Sequence, residues 1–322
     1  MSKKRIGIIG VGSMGKNHVR AYSALKDICE LVGIYDVDYS HAKKIANSFG
    51  VKAFESMDKL MKEVDAVNIV TPTSTHYELA KKAIDNNLHL LIEKPITSEV
   101  EDAEEIIKEA KKRELVLQVG HIERFNPAIR ALPDILEGEE IISIDAKRLG
   151  PYNGRINDTD VIQDLMIHDI DIINSIIKDD LGDISAVGSK RYSDYIDHAL
   201  AVLTMDNDII VNIEASRATY KRVRTLTITT LSSYIELDYI QRKIVINTGH
   251  LLPEGKGYHL NQAIEELYDS QEDALESQLS HFIDCIENKQ KPLIDGRDAL
   301  KALKISKDVQ AIITENLDKK YL

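Results

Sequence analysis

Arg5-Ile6-Gly7-Ile8-Ile9-Gly10-Val11-Gly12-Ser13-Met14-Gly15 decides how this chain is read. An apolar run of strand character breaks at a glycine-rich loop, and the loop opens an amphipathic segment, Gly15–Lys26. Gly10 permits a tight turn, Gly12 lets the backbone approach a pyrophosphate, and Gly15 lets the helix pack closely on the strand. A helix that starts there offers unpaired N–H groups and the positive end of its dipole to phosphate. The bare spacing is weak evidence; its place between a strand and a helix is what makes it a dinucleotide signal. Asp36 ends the next apolar run, about 20 residues past the loop, where a carboxylate accepts from a ribose and repels a 2′-phosphate. NAD is therefore expected over NADP, with Lys43 and Lys44 nearby leaving room for some NADP use.

Outward from the loop, apolar runs alternate with helical patterns. The candidate strands are Arg5–Ile9, Leu31–Tyr35, Ala66–Val70, His89–Ile92 and Val116–Val119. Between them lie Gly15–Lys26, Ser40–Phe49, Thr75–Asn86 and Glu99–Arg113. Such alternation predicts βαβ units and a doubly wound parallel sheet, and strands apolar on both sides suit a sheet covered on both faces.

The pattern changes near His121. A helical stretch (Asn126–Leu136), a strand (Ile141–Leu149) and a helix (Thr159–Ile177) come first. Strands then follow without intervening helices: Ile184–Ser189, His198–Met205, Asp208–Ala215, Val223–Leu231 and Lys243–Asn247. Ile209, Val211 and Ile213 alternate with Ile210, Asn212 and Glu214, the period of an antiparallel sheet with unequal faces. Helices are expected over Gln262–Asn288 and Arg297–Asn316.

At 322 residues, 43% hydrophobic and 29% charged, the chain has room for two cores without a disulfide or metal. Its 53 acidic and 41 basic residues give a formal charge of −12, which repels phosphate backbones and argues against a nucleic-acid or membrane-surface partner. Cys29 and Cys285 stand alone, as reduced thiols of a cytoplasmic protein would. No run approaches the length of a membrane span.

Two polar clusters carry chemistry. Glu93-Lys94-Pro95 follows the run Leu88–Ile92, at the carboxyl end of a parallel strand, where open sheets bind ligands. Lys94 there can polarise a hydroxyl or carbonyl, or be an ordinary strand-end lysine. Asp164 and His168 share one helix face by their spacing, with Asp160 and Asp171 extending the polar stripe. Ile162, Leu165, Met166, Ile170, Ile173 and Ile177 form the apolar side. A carboxylate beside an imidazole suits a proton shuttle, and equally an unremarkable surface pair. One local His with no cysteine support argues against a metal.

In combination these pieces resemble the glucose–fructose oxidoreductase / inositol dehydrogenase / MocA (Gfo/Idh/MocA) family. The resemblance rests on the glycine loop, Thr71-Pro72-Thr73-Ser74-Thr75-His76, Glu93-Lys94-Pro95, Gly120-His121 and the Asp164/His168 helix, in that order along the whole chain. Val119–Pro127, Lys147–Tyr152, Asp164–Asp171 and Ser233–Tyr239 further resemble the branch of UDP-N-acetylglucosamine 3-dehydrogenases.

The resemblance implies a Rossmann domain over 1–121 and, over 122–322, a substrate-binding α+β domain with a large, mostly antiparallel, open-faced sheet. It implies a homodimer or homotetramer formed through that sheet. Lys94, Asp164 and His168 would be catalytic. Gly10, Gly12, Ser13, Met14, Gly15, Asp36, Thr71, Pro72, Thr73, His76, Glu93 and Lys94 would hold NAD, and His121 would support the site. Arg124, Asn126, Arg148, Tyr152 and Arg155 would face the substrate, and His41, His89, His250 and His281 have no functional reading. The expected activity is NAD-dependent oxidation of a sugar secondary hydroxyl, C3 of UDP-N-acetylglucosamine first. Inositol or another free sugar or polyol is the alternative substrate, and a non-catalytic dinucleotide-binding regulator the alternative class.

Overall fold

The computed structural model describes residues 3–152, 154, 159–177, 179–254, 257–268 and 272–319. By their internal contacts they form two compact units, Met1–Phe125 with Glu272–Leu303, and Asn126–Gln271 with Lys304–Leu322.

The first unit is built on β1 (Lys4–Ile9), β2 (Cys29–Tyr35), β3 (Lys52–Ala53), β4 (Ala66–Ile69), β5 (His89–Glu93) and β6 (Leu117–Gly120). They pair in parallel in the order β3-β2-β1-β4-β5-β6, the doubly wound arrangement whose strand order reverses beside β1. The two-residue alternation of side chains divides two cores. Ile6, Ile8, Ile34 and Leu91 face α1 (Ser13–Ala24) and α2 (Tyr39–Phe49). Ile9, Val67, Ile69, Leu90 and Ile92 face the side covered by α3 (Met57–Met61), α4 (His76–Asp85) and α5 (Val100–Lys112).

A later helix, Ala274–Asn288, also belongs to this unit. Its Leu275, Leu279, Phe282 and Ile283 join Val19, Tyr22, Leu91 and Val116 in one core. Each such burial is worth about 1.5–3 kcal/mol. Asp273 starts the helix by accepting from the N–H of Leu275 and Glu276, and Arg20 of α1 pairs with the same Asp273 at 2.6 Å. The sequence places the division at residue 121; by internal contacts the first unit runs to Phe125 and takes 272–303 from the second half.

The second unit comprises α6 (Pro127–Ile135), β7 (Ile141–Leu149), α7 (Ile167–Ile176) and seven further strands. These are β8 (Leu181–Ser189), β9 (His198–Met205), β10 (Ile210–Ser216), β11 (Val223–Thr230), β12 (Ser233–Asp238), β13 (Lys243–Glu254) and β14 (Gly257–Tyr268). The helix Ala274–Asn288 is α8, and α9 (Gly296–Lys319) is the last element. The sheet order is β14-β13-β12-β11-β7-β10-β9-β8, antiparallel throughout except for the parallel pair β7/β10. Val211, Ile213 and Ala215 are buried on one face with Ile144, Ala146, Leu226 and Ile228. On the other face Val187, Leu200, Ile210, Tyr234 and Ile264 are exposed.

Two expectations of secondary structure fail. Residues 262–268 are the end of β14 rather than the start of a helix, because they pair antiparallel with β13 from Lys243 to Gly249. Residues 162–166 form a π turn ahead of α7 rather than regular α-helix. Among the described residues no helix is long and apolar enough to cross a membrane.

Candidate active site

The glycine loop is shaped by contacts that no side chain could share. Gly10 has φ +91°, and a Cβ there would lie 2.3 Å from the Val70 carbonyl oxygen. A Cβ on Gly15 would lie 2.1 Å from the Gly10 carbonyl oxygen, so the loop and α1 touch backbone to backbone. Gly12 is the opposite case: a Cβ there meets nothing within 4 Å. Gly12 also caps α1 without any side-chain cap, leaving Ser13 and Met14 in a first turn that no side chain closes. Open space in front of a helix N-terminus fits the pyrophosphate of a dinucleotide.

Asp36 holds this loop as well as facing it. Its Oδ2 accepts from the Val11 N–H at 2.8 Å and its Oδ1 from the Asp38 N–H at 2.9 Å. His41, to which the sequence assigned no role, donates from Nε2 to the Val11 carbonyl at 3.0 Å. Val11 is thus pinned on both sides by residues far along the chain, a contact without a sequence signal.

The ends of β4 and β5 are tied together. His76 is buried, and its Nδ1 and Nε2 face the carbonyls of Pro95 (2.8 Å) and Thr71 (3.0 Å). Burial lowers its pKa, outweighing the two carbonyls, which favour the protonated ring. Thr75 Oγ donates to Thr71 Oγ1 and the Pro72 carbonyl, fixing the turn that includes Thr73. The Lys94–Pro95 peptide bond is cis.

Glu93 is held by a buried polar chain. Tyr22 donates to Asn68 Oδ1, so Asn68 Nδ2 donates to His18 Nδ1, and His18 Nε2 carries the proton that reaches Glu93 Oε1 at 3.0 Å. Gly120 makes room for that carboxylate, since a Cβ would fall 2.8 Å from Oε1. Beside them His121 is fully buried, and burial, helped by the Lys94 charge, pushes its pKa down to about 3. It is a neutral ring at ordinary pH.

In the second unit, Asp160 starts the π turn by accepting from Ile162 and Gln163 N–H groups at 3.0 and 2.9 Å. Asp164 lies in that turn and His168 in the first turn of α7, both half-buried. Such π turns recur at functional sites. Asp160 and Asp171 are buried rather than part of a solvated stripe, and Leu165 is only half-buried. Burial raises the Asp160 carboxyl pKa. Asp169, not singled out in the sequence, is completely buried and bound twice by Arg148, Nε to Oδ2 at 2.7 Å and Nη2 to Oδ1 at 2.9 Å.

Of the expected substrate contacts, Arg148 is 1% exposed and its guanidinium is bonded to Asp169. Asn126 is buried as the N-cap of α6, with its amide donating to the Tyr239 carbonyl. In both, burial leaves the polar group bonded to the protein's own atoms. Arg124 is half-buried in a 3₁₀ turn of the first unit, Tyr152 is half-buried in the second, and Arg155 lies outside the described residues. Among the described residues no group of three or more His, Cys, Asp or Glu side chains is placed to hold a metal ion.

The sheet, the loop and the acid at the end of β2 define a dinucleotide-binding domain. The profile of an oxidoreductase family with an NAD-binding Rossmann fold matches residues 4–121, and that of the GFO/IDH/MocA C-terminal domain matches 145–231. The chain belongs to the Gfo/Idh/MocA family. A UDP-N-acetylglucosamine 3-dehydrogenase of Acidithiobacillus ferrooxidans is 35% identical over 97% of this chain and 98% of its own. A solved structure of that enzyme has a TM-score of 0.89 at 34% identity, covering 97% of this chain and 98% of the other. A scyllo-inositol 2-dehydrogenase of Bacillus subtilis is 25% identical over 94% of this chain and 91% of its own. A levoglucosan dehydrogenase solved with NADH and levoglucosan shares the fold, with a TM-score of 0.85 at 17% identity over 98% of each chain.

Proposed function

We propose that the chain oxidises the C3 hydroxyl of UDP-N-acetylglucosamine to the 3-keto sugar. The observation that carries this reading is the 35% identity, along nearly the full length of both chains, with the Acidithiobacillus ferrooxidans dehydrogenase for that nucleotide sugar. Bound NAD supplies the acceptor for the hydride that leaves the carbon.

In this reading Gly10, Gly12, Ser13, Met14 and Gly15 receive the pyrophosphate, and Asp36 the adenosine ribose. Thr71, Pro72, Thr73, His76 and Glu93 shape the rest of the cofactor pocket. His168 takes the proton of the substrate hydroxyl as general base. Lys94 hydrogen-bonds the same oxygen and stabilises the negative charge that grows on it. Asp164 orients the reacting groups. Arg124 and Arg155 offer planar donors to the diphosphate, and Tyr152 faces the substrate.

The open sheet face with Val187, Leu200, Ile210, Tyr234 and Ile264 is the surface through which copies would pair as a dimer or tetramer. The buried, unpaired cysteines Cys29 and Cys285 suit a cytoplasmic enzyme.

The test is NADH formation by the purified chain with NAD and UDP-N-acetylglucosamine, with hydrazine to trap the ketone. Inositol and free sugars run alongside. NADH with the nucleotide sugar is expected; NADH only with inositol or a free sugar overturns the substrate, and a silent panel overturns the reaction.

A further inference from the structure

Two tyrosines stand at one end of the eight-stranded sheet: Tyr152, read above as facing the substrate, and Tyr192, which has no part in the reading above. Tyr152 follows β7, and Tyr192 lies in the loop between β8 and β9. Their rings stack with centroids 5.2 Å apart and planes 18° from parallel. Tyr192 is 51% exposed.

The loop that presents Tyr192 is held from beneath. Asp197 is completely buried, and its Oδ2 accepts from the backbone N–H groups of Arg191, Tyr192 and Ser193 at 2.6, 2.6 and 3.2 Å. Its Oδ1 accepts from Ser193 Oγ and from Arg217 Nε, at 2.9 and 2.8 Å. Arg217 is itself buried and lies over the Tyr152 ring, 5.9 Å from its centroid. A buried ion pair therefore fixes the backbone under one ring and lies against the other. These bonds hold the Asp197 carboxyl far below the ordinary carboxylate range, against the opposing effect of its burial.

The same lock reaches the catalytic segment. Arg217 Nη1 donates to the Thr159 carbonyl at 3.0 Å. Thr159 precedes Asp160, which starts the π turn carrying Asp164. The exposed aromatic face is thus rigid and held to the segment on which the chemistry depends.

A rigid, solvent-facing aromatic ring binds a planar ring at little entropic cost, because the side chain has few rotamers to lose. We propose that Tyr192, backed by Tyr152, is the stacking platform for the base of the nucleotide sugar. This rests on the nucleotide-sugar reading above. In such a substrate the base stands apart from the reacting sugar, beyond a ribose and a diphosphate, and needs a site of its own.

The test is calorimetric titration of UDP into the full chain saturated with NAD. Wild type binds UDP; Tyr192→Ala weakens it on the order of 10-fold or more, as loss of a base–aromatic stack does. Tyr192→Phe, which keeps the ring, restores the affinity, and inorganic pyrophosphate binds wild type and Tyr192→Ala alike. The KM for UDP-N-acetylglucosamine rises in Tyr192→Ala by the same factor. Equal UDP affinity in wild type and Tyr192→Ala overturns the platform, as does failure of wild type to bind UDP. Turnover of the nucleotide sugar with UDP affinity insensitive to Tyr192 removes the platform and leaves the reaction standing. UDP affinity that depends on Tyr192 without any turnover removes the reaction and leaves the platform.

Discussion

Arg148→Ala is expected to unfold this protein at a markedly lower temperature. Arg148 on β7 is 1% exposed and Asp169 on α7 is 0% exposed. They meet in a two-bond pair at 2.7 and 2.9 Å, with Tyr239 donating its hydroxyl to the same carboxylate at 3.2 Å. The guanidinium also lies 5.0 Å from the centre of the Tyr239 ring. Taking such a pair out of water is costly, so its presence adds little net stability. Removing one partner is different, because it leaves a buried charge uncompensated, at about 3–5 kcal/mol. For a unit of this size that corresponds to a fall of roughly 6–20 °C in Tm. Arg148→Lys keeps the charge but cannot make two parallel bonds, and should fall between. The double variant Arg148→Met with Asp169→Leu removes both charges and should melt above either single variant. Thermal unfolding followed by circular dichroism measures all of these. A wild-type Tm for Arg148→Ala, with only its KM raised, would return Arg148 to the substrate and refute the reasoning. A double variant no more stable than the singles would refute the pairing argument.

The remaining predictions concern the loop, the ionisable groups and the chemistry. Gly15→Ala forces a Cβ to within 2.1 Å of a backbone oxygen and should lower both Tm and NADH binding, whereas Gly12→Ala, with open space around it, should keep Tm and lose NADH binding. Equal behaviour of the two in calorimetry and NADH fluorescence titration would contradict the loop geometry. His121 takes up a proton near pH 3 when folded, against an ordinary value of 6.5, so the unfolded chain binds more protons between those limits. Stability should therefore fall as pH drops from 6.5 toward 3 with a slope approaching about 1.4 kcal/mol per pH unit from this residue, and urea titrations of His121→Gln should show a flatter dependence. Asp36→Ala should lower NAD affinity relative to NADP, and an unchanged ratio would mean that Asp36 does not reach the ribose. Lys94→Ala and His168→Ala should each cut kcat by about 10²–10⁴ with NAD affinity retained; wild-type turnover in either removes that residue from the mechanism.

The amino-acid sequence by itself determined what is local. The turn at Gly10, the start of α1 and the acid at the end of β2 are read from a few contiguous residues. Each depends on backbone freedom or on a chain direction that neighbours impose. The alternation along β10 likewise announced one buried and one open face. Ala263, Ile264, Leu267 and Tyr268 show where local reading fails. Their spacing suits a helix face as well as a strand, and only pairing with β13 makes them β14.

Tertiary structure decided the rest. The apolar stripe of α8 would serve either unit, and the space beside Val19, Tyr22 and Val116 claims it for the first. Arg148 read as a substrate contact and Asp169 carried no reading, and only burial shows each to be the other's counter-ion. His18 and Glu93, 75 positions apart, and Asp197 and Arg217, 20 apart, met only once their strands and helices had packed. A sequence states which groups can bond or carry charge. Which of them lose water, and so must find a partner, depends on contacts between distant segments that no local pattern encodes.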